Sequence, residues 1–212
     1  MYLSDIHTHS IASGHGTSCT ISDMAKAASK KGLKLLGITD HGPGTLAAGT
    51  SSYFRSLTYA PKKRFGIELL FGAELNILDT EGHLDLNDEL LSELDYAIAS
   101  MHAQNYKSGT VEENTSAYLN AMRHPCVKVL GHCDNPAFPV DYETLAFGAK
   151  EYGVIFEINE ASLMPDGYRG DTRANNKEIL RCCRKLEIPI VLSSDSHGAE
   201  HVGEFTYGAE FV

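Results

Sequence analysis

The chain has 212 residues, a formal net charge of −10 and 42% hydrophobic residues, which suits one globular domain with a sizeable core. The acidic balance disfavours a nucleic acid as partner, because long polyanions are held by clustered Lys and Arg. A small anionic substrate stays compatible with this charge, since bound divalent ions can make a site locally positive.

The N-terminal segment lacks the basic and apolar regions of a secretory signal, and no apolar run reaches the roughly 18 residues that cross a bilayer. The five cysteines include the adjacent Cys182 and Cys183 and do not resemble a disulfide framework. We therefore expect a cytoplasmic protein with reduced thiols and no membrane partner. The sequence indicates no particular oligomeric state.

Short runs rich in Val, Ile and Leu alternate with helical segments along the chain. The runs predict buried parallel strands at Leu3 to His7, Lys34 to Thr39, Leu69 to Leu75, Tyr96 to Met101, Val127 to Gly131, Val154 to Ile158 and Ile190 to Ser194. Helices are predicted at Ser22 to Lys31, Tyr53 to Leu57, Thr110 to Arg123, Tyr142 to Tyr152 and Asn175 to Leu186. This alternation predicts βαβ units, in either a barrel or an open doubly wound sheet.

Potential metal ligands cluster where the predicted strands end. Seven of the ten histidines and two carboxylates occupy such positions: His7, His9, His15, His41, Glu74, His102, His132, Asp195 and His197. In a closed barrel all these ends face one mouth, whereas the outer strands of an open sheet lie far apart. The set therefore favours a barrel, and metal coordination is the natural compensation for so many buried imidazoles.

The ligand types and their number indicate which ions are bound. Imidazole and carboxylate suit Zn, Fe or Mn better than Mg or Ca, which prefer oxygen ligands. The set exceeds the needs of one or two tetrahedral ions, and three ions fit if Glu74 bridges two of them.

The same residues resemble the PHP family, the polymerase and histidinol phosphatase domain, and especially its small stand-alone bacterial phosphatases with a trinuclear zinc site. The matching segments are Asp5-Ile-His7-Thr-His9-Ser, Gly37-Ile-Thr-Asp40-His41-Gly, Gly72-Ala-Glu74-Leu-Asn, Glu157-Ile-Asn159 and Ser193-Ser-Asp195-Ser-His197. The resemblance implies one α/β domain over residues 1–212, a distorted TIM-like (βα)7 barrel of parallel strands with the metal site at its C-terminal face. The chain stops soon after Glu204-Phe-Thr, so the last covering helix is expected to be missing.

The resemblance also implies how three divalent ions, zinc first with Fe or Mn as alternatives, are held. One ion would take His7, His9, Glu74 and Asp195, a second would take His15, His41 and His197, and a third would take His102 and His132, with Glu74 bridging back to the first. The implied reaction is hydrolysis of a small phosphate monoester by attack of metal-bound hydroxide on phosphorus, without a separate catalytic side chain.

Further side chains have predicted roles around the cluster, each with an alternative. Asp5 and Asp40 precede histidine ligands and would orient imidazoles from behind, or would cap strand ends. Arg169 and Arg173, in the loop after the sixth strand, would clamp the phosphate, or would be solvated. His83 would protonate the leaving group, or would lie on a surface turn.

Three other functions stay open at this point. A phosphodiesterase or exonuclease is disfavoured by the acidic balance and by the lack of a basic, aromatic groove. An amidohydrolase-type barrel also uses His-x-His, but His15 and the Asp195-Ser-His197 pair indicate more than two metals. A non-catalytic metal-binding module would usually have lost some of the ligands.

Overall fold

The structure is a computed structural model, which describes residues 2–212. The strands are β1 Ser4–Asp5, β2 Leu35–Ile38, β3 Lys63–Arg64, β4 Ile67–Phe71, β5 Ala73–Asn76, β6 Ala97–Ser100, β7 Val127–Leu130, β8 Ile155–Asn159 and β9 Ile190–Ser193. They form two sheets, in the orders β1-β2-β4-β3 and β5-β6-β7-β8-β9. All pairs are parallel except β3 with β4. Each predicted strand is present, although β1 is shorter than predicted.

Two isolated bridges join the two sheets, which together form a distorted ring. The predicted third strand is interrupted at Gly72 and contributes β4 to one sheet and β5 to the other. Isolated parallel bridges join His41 to Glu74 and Thr8 to Ser196. The ring therefore runs from β1 and β2 through β4 and β5 to β9 and back to β1, and β3 pairs with β4 at one end of the first sheet. The prediction of a distorted parallel α/β barrel is confirmed, with closure that rests on single bridges instead of continuous ladders.

The helices lie between successive strands, as the βαβ interpretation requires. They are α1 Ile21–Lys30, α2 Ser51–Leu57, α3 Asp88–Leu91, α4 Val111–Met122, α5 Tyr142–Tyr152, α6 Glu160–Leu163, α7 Arg173–Leu186 and α8 Thr206–Phe211. The five predicted helices are present with small shifts at their ends, whereas α3, α6 and α8 are additional. The last helix is predicted to be missing, whereas the structure has the six-residue helix α8 after β9. The backbone N–H groups of Tyr207 and Gly208 in α8 donate to the Glu160 carboxylate at 2.9 and 2.7 Å.

The side chains that point into the ring form two layers, an apolar layer and a polar layer next to it. A small cluster separate from the main core packs Tyr96, Ile98 and Val129 against Ile6, Leu70, Ile155 and Val191. Side chains two residues further along a strand point to the same face. Ile155 is thus followed by Glu157, and Val191 by Ser193. The barrel interior is apolar at one end and polar at its C-terminal mouth.

None of the helices among residues 2–212 is both long enough and apolar enough to cross a membrane. The cytoplasmic location stays a prediction.

The N-terminus of α4 allows a matched test of helix capping. Thr110 Oγ1 accepts a hydrogen bond from Glu113 N at 3.2 Å, and Glu113 Oε2 accepts one from Thr110 N at 2.8 Å. Thr50 has the same position before α2 but makes no side-chain capping bond. We expect Thr110→Ala to lower the free energy of unfolding by about 1 kcal/mol, and Thr50→Ala by less than about 0.5 kcal/mol. Urea unfolding measures both, and equal losses would contradict the assigned cap.

Candidate metal centre

The ends of the strands bring all nine predicted ligands to the C-terminal mouth of the barrel. His7, His9 and Glu74 are completely buried, and His132, Asp195 and His41 are nearly so. The side chains of His102 and His197 are 20% and 24% exposed and lie nearer to solvent. His15 is exposed at the rim, where its ring centroid lies 4.9 Å from that of His41 and 5.1 Å from that of His197.

Glu74 lies at the centre of the cluster and faces imidazoles with both carboxylate oxygens. Its Oε1 lies 2.7 Å from His132 Nε2 and 3.3 Å from His102 Nε2. Its Oε2 lies 2.7 Å from His41 Nδ1 and 3.4 Å from His7 Nε2. The contact with His41 is short, but both atoms remain without a hydrogen-bond partner. A carboxylate placed in this way can bridge two cations.

Asp195 is the second buried carboxylate of the mouth, and its two oxygens have different neighbours. Oδ1 lies 3.2 Å from His9 Nε2 and 3.6 Å from His7 Nε2. Oδ2 accepts hydrogen bonds from Arg169 at 2.8 Å and from Asn159 Nδ2 at 3.2 Å. One oxygen is therefore fixed by donors, and the other is directed at the imidazoles.

Two of the predicted ligands have a left-handed backbone, with φ of 27° at His132 and 53° at Asp195. Such a conformation costs a residue other than glycine on the order of 1–3 kcal/mol and persists where the surroundings enforce it. Both residues lie just beyond a strand, after β7 and β9. Backbone strain at the points where ligands leave the barrel is typical of a functional site.

Many buried polar atoms of the mouth have no hydrogen-bond partner within the described chain. Among them are His7 Nε2, His9 Nε2, His41 Nδ1, His132 Nδ1, His197 Nε2 and Glu74 Oε2. An unsatisfied buried polar atom costs about 1–3 kcal/mol, so the protein alone does not account for this arrangement. The ring nitrogens and carboxylate oxygens are the donor atoms that divalent transition metals bind, and the residues present therefore fit a metal cluster.

The opposite ring nitrogens of two histidines are held by side chains behind them. His7 Nδ1 lies 2.6 Å from Glu157 Oε1, and His102 Nδ1 lies 2.7 Å from Asn76 Oδ1. Both partners accept hydrogen bonds, which places a proton on Nδ1 and makes Nε2 the nitrogen that faces the mouth. Asn76 is itself oriented, because its Nδ2 donates to Asp85 Oδ2 at 2.6 Å.

Asp40 contacts a predicted ligand through one serine. The Ser13 hydroxyl donates to Asp40 Oδ1 at 2.7 Å, and the same oxygen atom of Ser13 lies 2.8 Å from His9 Nδ1. Because the hydroxyl proton is used on Asp40, Ser13 accepts from His9 and fixes that imidazole with Nε2 deprotonated. Asp40 is thus linked to the imidazole of His9 through Ser13, which is an indirect form of the predicted contact.

Asp5 is equally buried but has other partners. Its carboxylate accepts hydrogen bonds from Ser194 N at 3.2 Å, Ser194 Oγ at 2.6 Å and Gly203 N at 2.8 Å. These contacts tie β1 to the end of β9 and to the loop that follows. These contacts match the alternative interpretation of Asp5, in which its carboxylate caps strand ends.

The two predicted arginines have different positions. Arg169 lies at the mouth with 7% of its surface exposed. Its guanidinium donates to Asp195 and also to Asn159 Oδ1 at 3.3 Å and Ser162 Oγ at 3.1 Å. Arg173 begins α7, is exposed and pairs with Asp171 at 3.6 Å. The structure does not bring Arg173 to the mouth, because the turn of chain after Arg169 directs it to the outer surface.

His83 lies away from these residues on an exposed turn, where its Nδ1 is 2.8 Å from Asp79 Oδ2. This position matches the alternative interpretation of His83, a histidine on a surface turn.

The imidazoles keep Glu74 ionised in spite of its burial. Burial alone disfavours the charged form, but His7, His102 and His41 outweigh it and hold the pKa of Glu74 well below its usual value. Glu74 is therefore held as a carboxylate anion, the form that binds a metal.

Burial has the opposite consequence for two of the histidines. It lowers the pKa of His9 well below its usual value, and together with the neighbouring Arg169 it lowers the pKa of His132 to about 4. Both rings are therefore neutral at pH 7, the protonation state in which imidazole binds a metal.

His7 differs from these two. Burial would lower its pKa, but the carboxylates of Glu157, Asp195 and Glu74 outweigh it and raise the pKa well above the usual value. This position thus favours a positive charge, which a divalent cation would supply.

The fold and this geometry agree with comparisons to known proteins. The family model described as PHP domain matches residues 5–162. The chain belongs to the PHP domain family. A relative from Clostridium novyi, named "probable phosphatase", is 41% identical over 96% of this chain and 82% of its own length. A relative of the same name from Thermoanaerobacter sp. is 42% identical over 95% of this chain and 81% of its own length.

Solved structures share the fold of this PHP domain at low sequence identity. A Listeria monocytogenes protein assigned as a histidinol phosphatase superposes with a TM-score of 0.69 and 20% identity, over 97% of this chain and 99% of the other. The histidinol phosphate phosphatase of Lactococcus lactis, complexed with Zn, L-histidinol and phosphate, gives a TM-score of 0.61 and 20% identity, over 94% and 88% of the two chains.

The ligand groups of this PHP domain overlap more than the resemblance implied. Three groups have ligand atoms within 4.8 Å of one another: His7, His9 and Asp195; His9, His41 and His197; and His41, Glu74 and His102. His9 and His41 each belong to two groups, and His15 and His132 belong to none. The division of ligands among individual ions stays a prediction.

Glu157 and Asn159 lie behind the predicted ligands, and neither of them has a role predicted from the sequence. Glu157 is buried, and besides His7 its carboxylate accepts hydrogen bonds from His132 N at 2.6 Å and Asn159 Nδ2 at 3.0 Å. The signal was available, because Glu157 and Asn159 follow Ile155 at a spacing of two on a buried strand. An acidic side chain on the inner face of such a strand indicates a partner inside the barrel.

Proposed function

We propose that this protein is a metal-dependent phosphatase that hydrolyses a small phosphate monoester. The observation that carries the proposal is Glu74 at the barrel mouth, whose Oε2 faces the unpartnered ring nitrogens of His41 and His7 while its Oε1 contacts His132 Nε2. The names of the Clostridium and Thermoanaerobacter relatives support phosphatase chemistry. The zinc and phosphate of the Lactococcus lactis complex support zinc as the metal and a phosphorylated metabolite as the substrate.

The proposed centre holds three divalent ions, zinc first and Fe or Mn as alternatives, on the nine predicted ligands. When bound, these ions would supply the hydroxide nucleophile and positive charge for the phosphoryl oxygens. The chain's own part is to hold the donor atoms in place. Glu157 and Asn76 fix the rings of His7 and His102 from behind, and Ser13 fixes the ring of His9.

Arg169 contributes a fixed positive charge at the edge of the mouth. Its guanidinium is held by Asp195, Asn159 and Ser162. It is therefore preorganised and does not have to be immobilised when a phosphate enters. The clamp predicted for Arg169 and Arg173 is thus reduced to Arg169, because Arg173 is exposed and pairs with Asp171.

The test combines metal content with turnover. Protein purified without chelator is expected to contain about three Zn, Fe or Mn ions per chain by elemental analysis and to release p-nitrophenol from p-nitrophenyl phosphate. Faster release from bis(p-nitrophenyl) phosphate would instead indicate a phosphodiesterase. Full metal occupancy without turnover of either ester would indicate a metal-binding module, and absence of metal after reconstitution would contradict the proposal.

A further inference from the structure

The cavity above the metal centre has two chemically different walls. It has a volume of about 620 Å³, which suits a small metabolite. Its inner wall consists of predicted ligands together with Arg169. Its outer wall is formed mainly by Thr45, Met101, Gln104, Asn135, Phe138 and Tyr168. A phosphate bound at the inner wall would leave the rest of the ester against the outer wall.

The charged side chains that line this cavity neutralise each other. Apart from the histidines, Arg169 and Asp195 are the ionisable acid and base among its lining residues in the described chain, and they pair at 2.8 Å. Asp134, next to the lining residue Asn135, is buried, and its carboxylate accepts hydrogen bonds from Asn176 Nδ2 at 2.6 Å and Ser162 Oγ at 3.2 Å. The outer wall therefore offers no free carboxylate or ammonium group.

The neutral groups of the outer wall suit hydroxyl groups and apolar surface. Gln104 is exposed at the rim, and Asn135 uses its Oδ1 on Ala137 N at 3.0 Å, which leaves its amide N–H₂ for a ligand. Phe138 is buried, whereas Tyr168 is 77% exposed, and the centroid of its ring lies 4.5 Å from Arg169 Cζ. An amide can donate a hydrogen bond to a hydroxyl group or accept one from it, and an aromatic ring can contact the apolar face of a sugar or of another ring.

We infer that the alcohol released by this phosphatase is uncharged, a polyol or an aromatic alcohol, and that Gln104 and Asn135 help to select it. The inference rests on the proposed function and names its substrate class. With the phosphate at the inner wall, an ammonium or carboxylate group on the alcohol would lose water on entering the cavity and would find no opposite charge on the outer wall. An uncharged alcohol loses no such hydration and finds hydrogen-bond partners.

Three monoesters on a three-carbon skeleton test the inference on the metal-loaded protein. They are glycerol 3-phosphate, 3-aminopropyl phosphate and 3-phosphoglycerate, which differ mainly in the charge of the alcohol. We expect kcat/KM for glycerol 3-phosphate to exceed that for each charged ester by about tenfold or more. A charged ester hydrolysed as efficiently as glycerol 3-phosphate would overturn the inference.

A charge substitution at the rim locates the selectivity in the outer wall. Gln104→Glu is expected to raise kcat/KM for 3-aminopropyl phosphate relative to glycerol 3-phosphate by about tenfold, because the new carboxylate offers the ammonium a partner. Ser108→Glu adds the same charge outside the cavity lining and is expected to leave the ratio unchanged. Equal changes in both variants would show a general charge effect and would contradict the role of Gln104.

Failure of the proposed function and failure of the inferred substrate class give different results. If the metal-loaded protein hydrolyses no ester, p-nitrophenyl phosphate included, the proposed function fails and the substrate class fails with it. If p-nitrophenyl phosphate is hydrolysed but a charged three-carbon ester is preferred, only the substrate class is wrong.

Discussion

Glu74→Gln is expected to lower phosphate release from p-nitrophenyl phosphate on the order of a thousandfold, or about 4 kcal/mol of transition-state stabilisation. The amide keeps the size of the side chain but removes the charge, and it presents one N–H₂ group where a second acceptor oxygen was. Because both carboxylate oxygens face imidazoles, this substitution disturbs more ligand pairs than any change at the rim.

The variant also tests metal binding directly. We expect elemental analysis to show a loss of at least about one ion per chain, since a bridging ligand serves more than one ion. Glu68→Gln is the matched control, because Glu68 lies on β4 with its side chain 66% exposed and contacts only Lys63 at 3.7 Å among its charged neighbours. A Glu74 variant with the metal content and turnover of this control would exclude the bridging role.

The ligand positions could be predicted from the sequence because two simple rules act together. Parallel strands end at one face of a barrel, so residues just beyond Leu130 of β7 or Ser193 of β9 must share a mouth. A single strand-end histidine carries little information, but histidines at the ends of most strands rarely occur together unless they form one site. Recognition of the family from the same residues is confirmed by the match over residues 5–162.

The separate roles of Asp5 and Asp40 could not be predicted, because they depend on loop geometry. Asp5 and Asp40 have the same kind of position in sequence, before a histidine, yet one holds Ser194 and the other reaches an imidazole through Ser13. Nothing in the local sequence distinguishes the two, since both partners come from elsewhere in the chain.

The break between β4 and β5 also has a tertiary cause. The apolar run continues through Gly72, so periodicity predicts one strand. In the structure a Cβ atom at this position would lie 2.6 Å from the carbonyl oxygen of Tyr96. Only glycine allows this close approach, and the chain there passes from one sheet to the other.

Arg169→Met is expected to lower the free energy of unfolding of the chelator-treated protein by about 3–5 kcal/mol. The side chains of Arg169 and Asp195 are each 3% exposed, and their charges pair at 2.8 Å. Methionine fills part of the space but leaves the Asp195 carboxylate buried with Asn159 as its remaining donor. Urea unfolding with and without chelator measures the loss.

Arg173→Met is the matched control for this variant. Arg173 is exposed, and its contact with Asp171 is 3.6 Å, so we expect a loss below about 0.5 kcal/mol. If Asp195 is a metal ligand, zinc compensates its charge, and the loss caused by Arg169→Met becomes smaller in the metal-loaded protein. A loss that is equal with and without metal would show that Asp195 is held by Arg169 alone and would remove it from the ligand set.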